Sequence, residues 1–178
     1  MATLVIGPFY LSSALELGQT SVGMVMSVGP VVSILSGVPA GRIVDHWGAP
    51  LSAIIGLILM AVGSFMLSAF SGVFGIGGYI IAIAILTPGY QLFQAANSTS
   101  VMTNILPGQQ GLMSGLLNLS RNLGLITGAS VMGAVFFLAS GANEMISAGA
   151  EAILIGMRIT FAVAGTLVVF ALAIAIYS

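Results

Sequence analysis

The stretch Leu51-Ser-Ala-Ile-Ile-Gly-Leu-Ile-Leu-Met-Ala-Val-Gly-Ser-Phe-Met-Leu-Ser-Ala-Phe70 decides the fold of this chain, because no charged residue interrupts it. As an α-helix rising about 1.5 Å per residue it is about 30 Å long, which is the thickness of the hydrocarbon core of a bilayer. The charge-free region extends well beyond it, since no Asp, Glu, Lys or Arg occurs from His46 to Ser120. The sequence therefore predicts a membrane-crossing segment with further such segments around it.

The composition of the whole chain indicates the same class of protein. Of 178 residues, 3 are Lys or Arg and 4 are Asp or Glu, so 4% are charged, whereas about 25% are charged in soluble domains. Hydrophobic residues make up 58% of the chain, which leaves too few polar residues for a water-facing surface. A net charge of -1 without a basic cluster predicts no binding to nucleic acid. With no cysteine and one histidine, we expect neither a metal site nor a cofactor.

Glycine, proline and charged residues divide the chain into apolar segments. Lipid requires the backbone of each segment to satisfy its own hydrogen bonds, and the alternating polarity of barrel strands is absent, so we expect helices. These six segments form a single bundle in the simplest arrangement, and nothing marks a second domain. The sequence thus predicts an all-α polytopic membrane protein with six transmembrane helices. The predicted helices are residues 1–16, 20–44, 51–70, 74–103, 109–140 and 152–177.

The first segment and the few basic residues suggest how the chain enters the membrane. Met1 to Leu15 would rise only about 22 Å as a helix, so we expect the chain to be truncated at its N-terminal side. Arg42 next to the second break favours a cytoplasmic position for that turn. Six crossings then place both termini in the cytoplasm. Arg158 fits this orientation poorly, because it lies about two turns into the last helix from the outer side.

Small residues at helical spacing predict where helices approach closely. In hydrocarbon, close contact between backbones replaces the missing hydrophobic drive for association, and small side chains permit it. The second segment also contains Pro30 and Pro39, which remove backbone donors and allow a bend. The residues predicted to pack in this way are Gly29, Ser33 and Gly37 in the second segment and Gly128 in the fifth.

The fifth segment is amphipathic, with its polar side predicted to face protein or water. Asn118, Arg121 and Asn122 lie on one side, and leucines from Leu112 to Leu123 lie on the other. A charge at the bilayer centre costs about 2.5 to 3.5 kcal/mol on insertion scales and usually serves function. Arg121 is therefore the most informative single residue.

The fourth segment carries a second polar group just after Pro88-Gly89. Gln91, Gln94 and Ser98 share one helical face and follow Tyr90. These side chains can hydrogen-bond a substrate in a water-filled cavity. Alternatively, they join neighbouring helices through hydrogen bonds worth about 0.6 kcal/mol each. The sequence leaves both interpretations open.

Two further features concern charge pairing and catalysis. Arg42 and Asp45 are three residues apart at a helix end, close enough to form an interfacial ion pair. The single histidine, His46, lies in the same turn, where it cannot act as a base for a buried serine. The run Gly128-Ala-Ser-Val131 also lacks the final glycine of an intramembrane serine protease nucleophile, so we predict that the chain is not an enzyme.

Three stretches carry a family resemblance. Gly41-Arg42-Ile-Val-Asp45-His-Trp-Gly48 resembles the G-x-x-x-D-x-x-G signature in the cytoplasmic turn between the second and third helices of each half of major facilitator superfamily proteins. The run from Gly111 to Gly124 resembles the fifth helix of the C-terminal half in drug:proton antiporters of the fourteen-helix EmrB/QacA type, and Ile6 to Leu11 fits the first helix. The chain departs from the signature after Gly48, where Ala49-Pro50 replaces the usual basic residues.

The resemblance implies that this chain is the C-terminal six-helix half of a proton-coupled efflux carrier for drugs or other small amphipathic molecules. Such carriers lie in the bacterial inner (plasma) membrane and rock two halves around a midplane site, so a missing N-terminal half or a second copy is expected as partner. The alternative is a non-transporting membrane remnant or subunit that needs a partner half. The resemblance implies a gating role for Gly41, Arg42, Asp45 and Gly48, and a substrate pathway that includes Tyr10, Tyr90, Gln91, Gln94, Asn118, Arg121 and Asn122. It also implies close approach of helices at Gly124, Gly128 and Gly133.

Overall fold

The computed structural model describes residues 2–103, 105, 108–141 and 149–177, and these are almost entirely helical, with no strand among them. Five of the helices in this part of the chain are long and apolar enough to cross a membrane, which confirms the prediction of an all-α polytopic membrane protein. The helices are α1 (Ala2–Phe9, continued by a π-helical turn over Tyr10–Ala14), α2 (Gln19–Trp47), α3 (Ala49–Phe70), α4 (Phe74–Thr103), α5 (Gln110–Ser140) and α6 (Ala150–Tyr177).

The junction of α2 and α3 is tighter than the sequence predicts. Helix α2 continues through Asp45 to Trp47, and α3 starts at Ala49, so Gly48 alone separates them. Gly48 has φ 83° and donates its backbone N–H to the Val44 carbonyl at 2.9 Å. Pro50 does not break α3, because a proline in the first turn of a helix lacks only an N–H that would have no helical partner. The predicted turn over residues 45–50 is thus mostly helical.

Helices α3 and α4 form the closest contact in the described structure. They run antiparallel on either side of a break at Gly75, whose φ of 52° and ψ of -127° are not helical. A Cβ added at Gly56 would lie 2.6 Å from the Phe93 nitrogen, and one added at Gly63 would lie 2.6 Å from the Leu86 Cβ. On the α4 side, a Cβ added at Gly89 would lie 2.7 Å from the Leu59 Cβ. Glycine at these positions lets the two backbones touch.

The main core lies at the end of the bundle where α1 meets α2. Tyr10 of α1 is buried there and stacks on Tyr79 of α4 with ring centroids 6.1 Å apart. Phe136 of α5 and Met157 of α6 complete this cluster. A smaller cluster joins α2 to α4 near the opposite end, through Ala40, Val44, Leu92 and Ala96. Large apolar side chains cover the outside instead of polar ones, as lipid contact requires. Examples are Ile34 (78% exposed), Leu138 (79%) and Phe170 (69%).

Candidate functional site

A groove of about 390 Å³ lies between α4 and α5, and its lining combines polar and apolar side chains. Its α4 wall is formed by Tyr90, Phe93, Gln94, Asn97 and Ser98, and its α5 wall includes Ser114, Asn118 and Arg121. These positions recur at three- and four-residue spacing on each helix, which places them on one face of α4 and one face of α5. The structure therefore brings Tyr90, Gln94, Asn118 and Arg121 of the predicted pathway to one place.

A second, mostly apolar cavity of about 520 Å³ adjoins the groove. The two share Tyr90, Gly124 and Leu125, and the groove, which has the larger share of polar residues, is called the polar end below and the second cavity the apolar end. Met132 and Phe161 help to line the apolar end. The sequence did not reveal these apolar lining residues, because a methionine or phenylalanine facing a cavity looks the same in sequence as one facing lipid.

Arg121 occupies the middle of α5. It lies eleven residues beyond Gln110, where the helix starts, which corresponds to about 17 Å along the axis. Arg121 is the only charged side chain lining either cavity within the described ranges, and it forms no ion pair with any described residue. On the other side of α5 the leucines face outward, with Leu112 66% and Leu119 56% exposed. The arrangement leaves a permanent positive charge available inside the groove.

Gln91 is absent from the lining of the groove, and its place in the substrate pathway stays a prediction. Its Nε2 donates to the backbone carbonyl of Ser33 at 3.1 Å and to the Ser33 Oγ. Gln91 therefore joins α4 to α2, which is the alternative role that the sequence left open. Ser33 meets α4 as expected of a packing residue, although it does so through this hydrogen bond.

Tyr10 and Asn122 also lie apart from the groove. Tyr10 is fully buried and stacks on Tyr79, so it belongs to the main core. Asn122 is exposed and absent from the groove lining, because one residue along a helix turns the side chain by about 100° from Arg121. The predicted role of these two residues in a substrate pathway stays a prediction.

The glycines predicted to pack behave in different ways. A Cβ at Gly29 would lie 3.8 Å from the Ile83 side chain of α4, an ordinary packing distance. Nothing lies within 4 Å of a Cβ added at Gly37, Gly124, Gly128 or Gly133 among the described residues. Gly124 and Gly128 border the cavities instead. Packing at these open glycines stays a prediction about a neighbour outside this chain.

The predicted gating residues lie at the exposed end of α2. Arg42 and Asp45 are exposed, and no ion pair joins them in the described structure. A solvent-exposed pair gains little free energy, so nothing compels the two side chains to meet. Gly41 has nothing within 4 Å of an added Cβ, and Gly48 forms the α2–α3 junction. The gating role of this turn stays a prediction.

Three of the four carboxylates of the chain, Glu16, Asp45 and Glu151, lie among the described residues. Glu151 is exposed in the first turn of α6, where a negative charge interacts favourably with the helix dipole, so it does not belong to a loop. Glu144 lies outside the described residues. Neither Glu16 nor Asp45 lines the groove.

Replacing Gln91 or Gln94 by Leu should separate packing from binding. We expect Gln91→Leu to lower the free energy of unfolding by about 0.6 to 1.7 kcal/mol, because it removes the link to Ser33. Gln94→Leu should leave stability unchanged, because the Gln94 amide makes no hydrogen bond within the described residues, and should weaken solute binding instead. Denaturant titration in detergent measures the first effect. Equal loss of stability in both variants would contradict the assignment.

The sequence comparisons relate this chain to transporters. No family model matches it. It is 27% identical over 167 residues to the uncharacterized transporter YebQ of Escherichia coli K12, covering 90% of this chain and 36% of YebQ. It is 25% identical over 180 residues to the riboflavin transporter RibZ of Clostridioides difficile strain 630, covering 99% of this chain and 39% of RibZ. This integral membrane protein is thus a distant relative of membrane transporters, and the chain spans less than two fifths of each of these relatives.

Proposed function

We propose that this chain forms one six-helix half of a major facilitator carrier, of the drug:proton antiporter type, and that the α4–α5 groove is its part of the substrate pathway. The observation that carries the proposal is the position of Arg121, a charge in the middle of a membrane helix that faces a cavity. A charge at that depth is costly unless it serves a site. The similarity to two proteins named as transporters supports the same function.

The proposed mechanism is alternating access. Two halves rock against each other around a midplane site, which the groove would supply on this side. The partner is the missing N-terminal half or a second copy of this chain, and it would face α5, where Gly124 and Gly128 have open space beside them. The protein would lie in the bacterial inner membrane with both termini in the cytoplasm. Since no described carboxylate lines the groove, the proton-coupling acid would belong to the partner half.

The size and lining of the site suit a small amphipathic solute. Ligand sites are typically about 300 to 1,000 Å³, and the polar and apolar ends measure about 390 and 520 Å³. RibZ is named as a riboflavin transporter, so riboflavin is a reasonable first solute to test. Drugs of similar size and polarity are further candidates.

A second candidate function is a non-transporting membrane subunit or remnant that needs a partner half. Recovery of a separately encoded N-terminal half together with the tagged chain would indicate a split carrier. Recovery of an unstable monomer would indicate a remnant.

Transport by the chain alone and by a complete carrier should differ. We expect the purified chain in proteoliposomes to move riboflavin no faster than empty liposomes, because one half supplies only one wall of the pathway. A chimera in which this chain replaces the segment of RibZ that it matches should restore uptake, followed by riboflavin fluorescence. The control is RibZ lacking that segment. A chimera that folds, as judged by size-exclusion chromatography, but never transports would refute the proposal, and transport by the chain alone would refute the half-carrier assignment.

A further inference from the structure

We propose that the groove selects an amphipathic organic anion, with its negative group at Arg121 and its apolar body towards Phe161. This inference rests on the proposed function and adds the charge of the substrate to it. The first observation is the electrostatic balance of the site. Arg121 lines the groove, and no carboxylate among the described residues lines either cavity. The site therefore carries a net positive charge in a region where lipid provides little screening.

The neighbours of Arg121 strengthen the preference for an anion. Asn118 on α5 and Gln94 on α4 present amide groups to the same groove, and Ser98 presents a hydroxyl. Amide N–H groups, hydroxyls and the guanidinium all donate hydrogen bonds, so together they can satisfy the oxygens of a carboxylate, sulfonate or phosphate. The guanidinium stays protonated at any physiological pH, so the preference would persist across that range.

The rest of the cavity defines the shape of the ligand. Tyr90 and Phe93 stand on α4 beside the polar end, and Tyr90 also borders the apolar cavity. Aromatic side chains at that junction suit a planar group, which can stack on them. Beyond them, Met132 and Phe161 help to line the apolar end. A planar molecule with one anionic end would thus meet matching chemistry along its whole length.

A cation is the substrate that this arrangement disfavours. Bringing a second positive charge next to Arg121 would place two like charges in a weakly screened region, which is unfavourable. The proposal therefore requires the proton-coupling acid of the partner half to lie away from Arg121, because a carboxylate beside Arg121 would neutralise it and remove the preference. Binding and transport measurements can therefore distinguish a preference for anions from the absence of any charge preference.

Two xanthene dyes of similar frame and opposite charge test the proposal. Fluorescence anisotropy would measure binding of anionic fluorescein and cationic rhodamine 123 to the full 178-residue chain in lipid nanodiscs, with empty nanodiscs subtracted. We expect fluorescein to bind more tightly. Arg121→Gln should weaken fluorescein binding by about tenfold, as loss of a charged hydrogen bond implies. Arg121→Glu should reverse the preference of the two dyes.

The matched control is Arg158→Gln on α6. Arg158 is exposed and lines neither cavity, although its backbone carbonyl accepts a hydrogen bond from the Ser68 Oγ at 2.7 Å. We expect this variant to bind both dyes as the unaltered chain does. Three results would overturn the proposal: the chain binds the two dyes with equal affinity, it binds neither dye, or the Arg121 and Arg158 variants lose the same amount of fluorescein affinity. Transport by the chimera without a dye preference would overturn this inference alone, and a dye preference without transport would overturn the proposed function alone.

Discussion

Replacing Arg121 by Ala should reduce transport by the RibZ chimera by about tenfold to a hundredfold while leaving its abundance in the membrane unchanged. The expected size follows from the loss of a charged hydrogen bond to substrate, worth about 1.5 to 3 kcal/mol. Abundance should hold because Arg121 is exposed in the groove and has no ion-pair partner among the described residues. Initial uptake of riboflavin, divided by the amount of chimera on an immunoblot, gives the measurement.

The neighbouring residue provides the control for this prediction. Asn122 is also polar and exposed on α5, but it does not line the groove, so Asn122→Ala should transport normally. If Arg121→Ala instead lowers abundance and leaves transport per molecule intact, then Arg121 stabilises the bundle. If both variants lose transport equally, the whole polar side of α5 matters and the groove has no special role.

Replacing Gly56 by Val should produce the largest loss of stability. An added Cβ at this position would lie 2.6 Å from the Phe93 nitrogen and 2.8 Å from the Gly89 carbonyl oxygen. Because these neighbours are backbone atoms of α4, they cannot rotate away, and the two helices must separate. We expect a loss of about 1 to 3 kcal/mol or more in the free energy of unfolding, as overpacking implies. Unfolding of the purified chain by sodium dodecyl sulfate in mixed micelles would measure it.

Gly37→Val makes the same chemical change at a helical glycine without a neighbour. Nothing among the described residues lies within 4 Å of a Cβ added there, so the stability of the chain should barely change. Because valine has a higher helix propensity than glycine, helix propensity alone predicts no loss in either variant. Equal losses in the two variants would contradict the proposed contact between α3 and α4. Loss of transport in a stable Gly37→Val chimera would support packing of this glycine against the partner half.

Much of the fold could be predicted because it depends on local pattern. The charge-free run from His46 to Ser120 requires a lipid environment, and lipid requires helices. The polar side of α5 was also readable, since Asn118 and Arg121 are three residues apart and share one helical face. Helix ends were less accurate, because a single glycine with positive φ can replace a longer turn, as Gly48 does.

The partners of the polar side chains in the candidate site could not be predicted from the local sequence pattern. Gln91 and Gln94 lie near each other on α4, yet one bonds to Ser33 and the other lines the groove. Their spacing along α4 does not indicate which helix lies opposite each side chain. The same limit applies to glycine. Gly37 was predicted to pack against another helix but has open space beside it, whereas Gly56 and Gly63, seven residues apart on one face of α3, make the close contact.

The sequence alone therefore determined that lipid surrounds this protein, that the protein is helical, and that α5 has a charged, polar side. These properties follow from the free energy of transferring each side chain and each backbone group into lipid, which depends on the residues themselves. The tertiary structure decided which polar residues meet in a groove, which polar residues join two helices through a hydrogen bond, and which glycines contact a neighbouring helix. Those outcomes depend on the relative positions of helices distant in sequence, because a hydrogen bond or a close contact requires two groups to meet within a few ångströms.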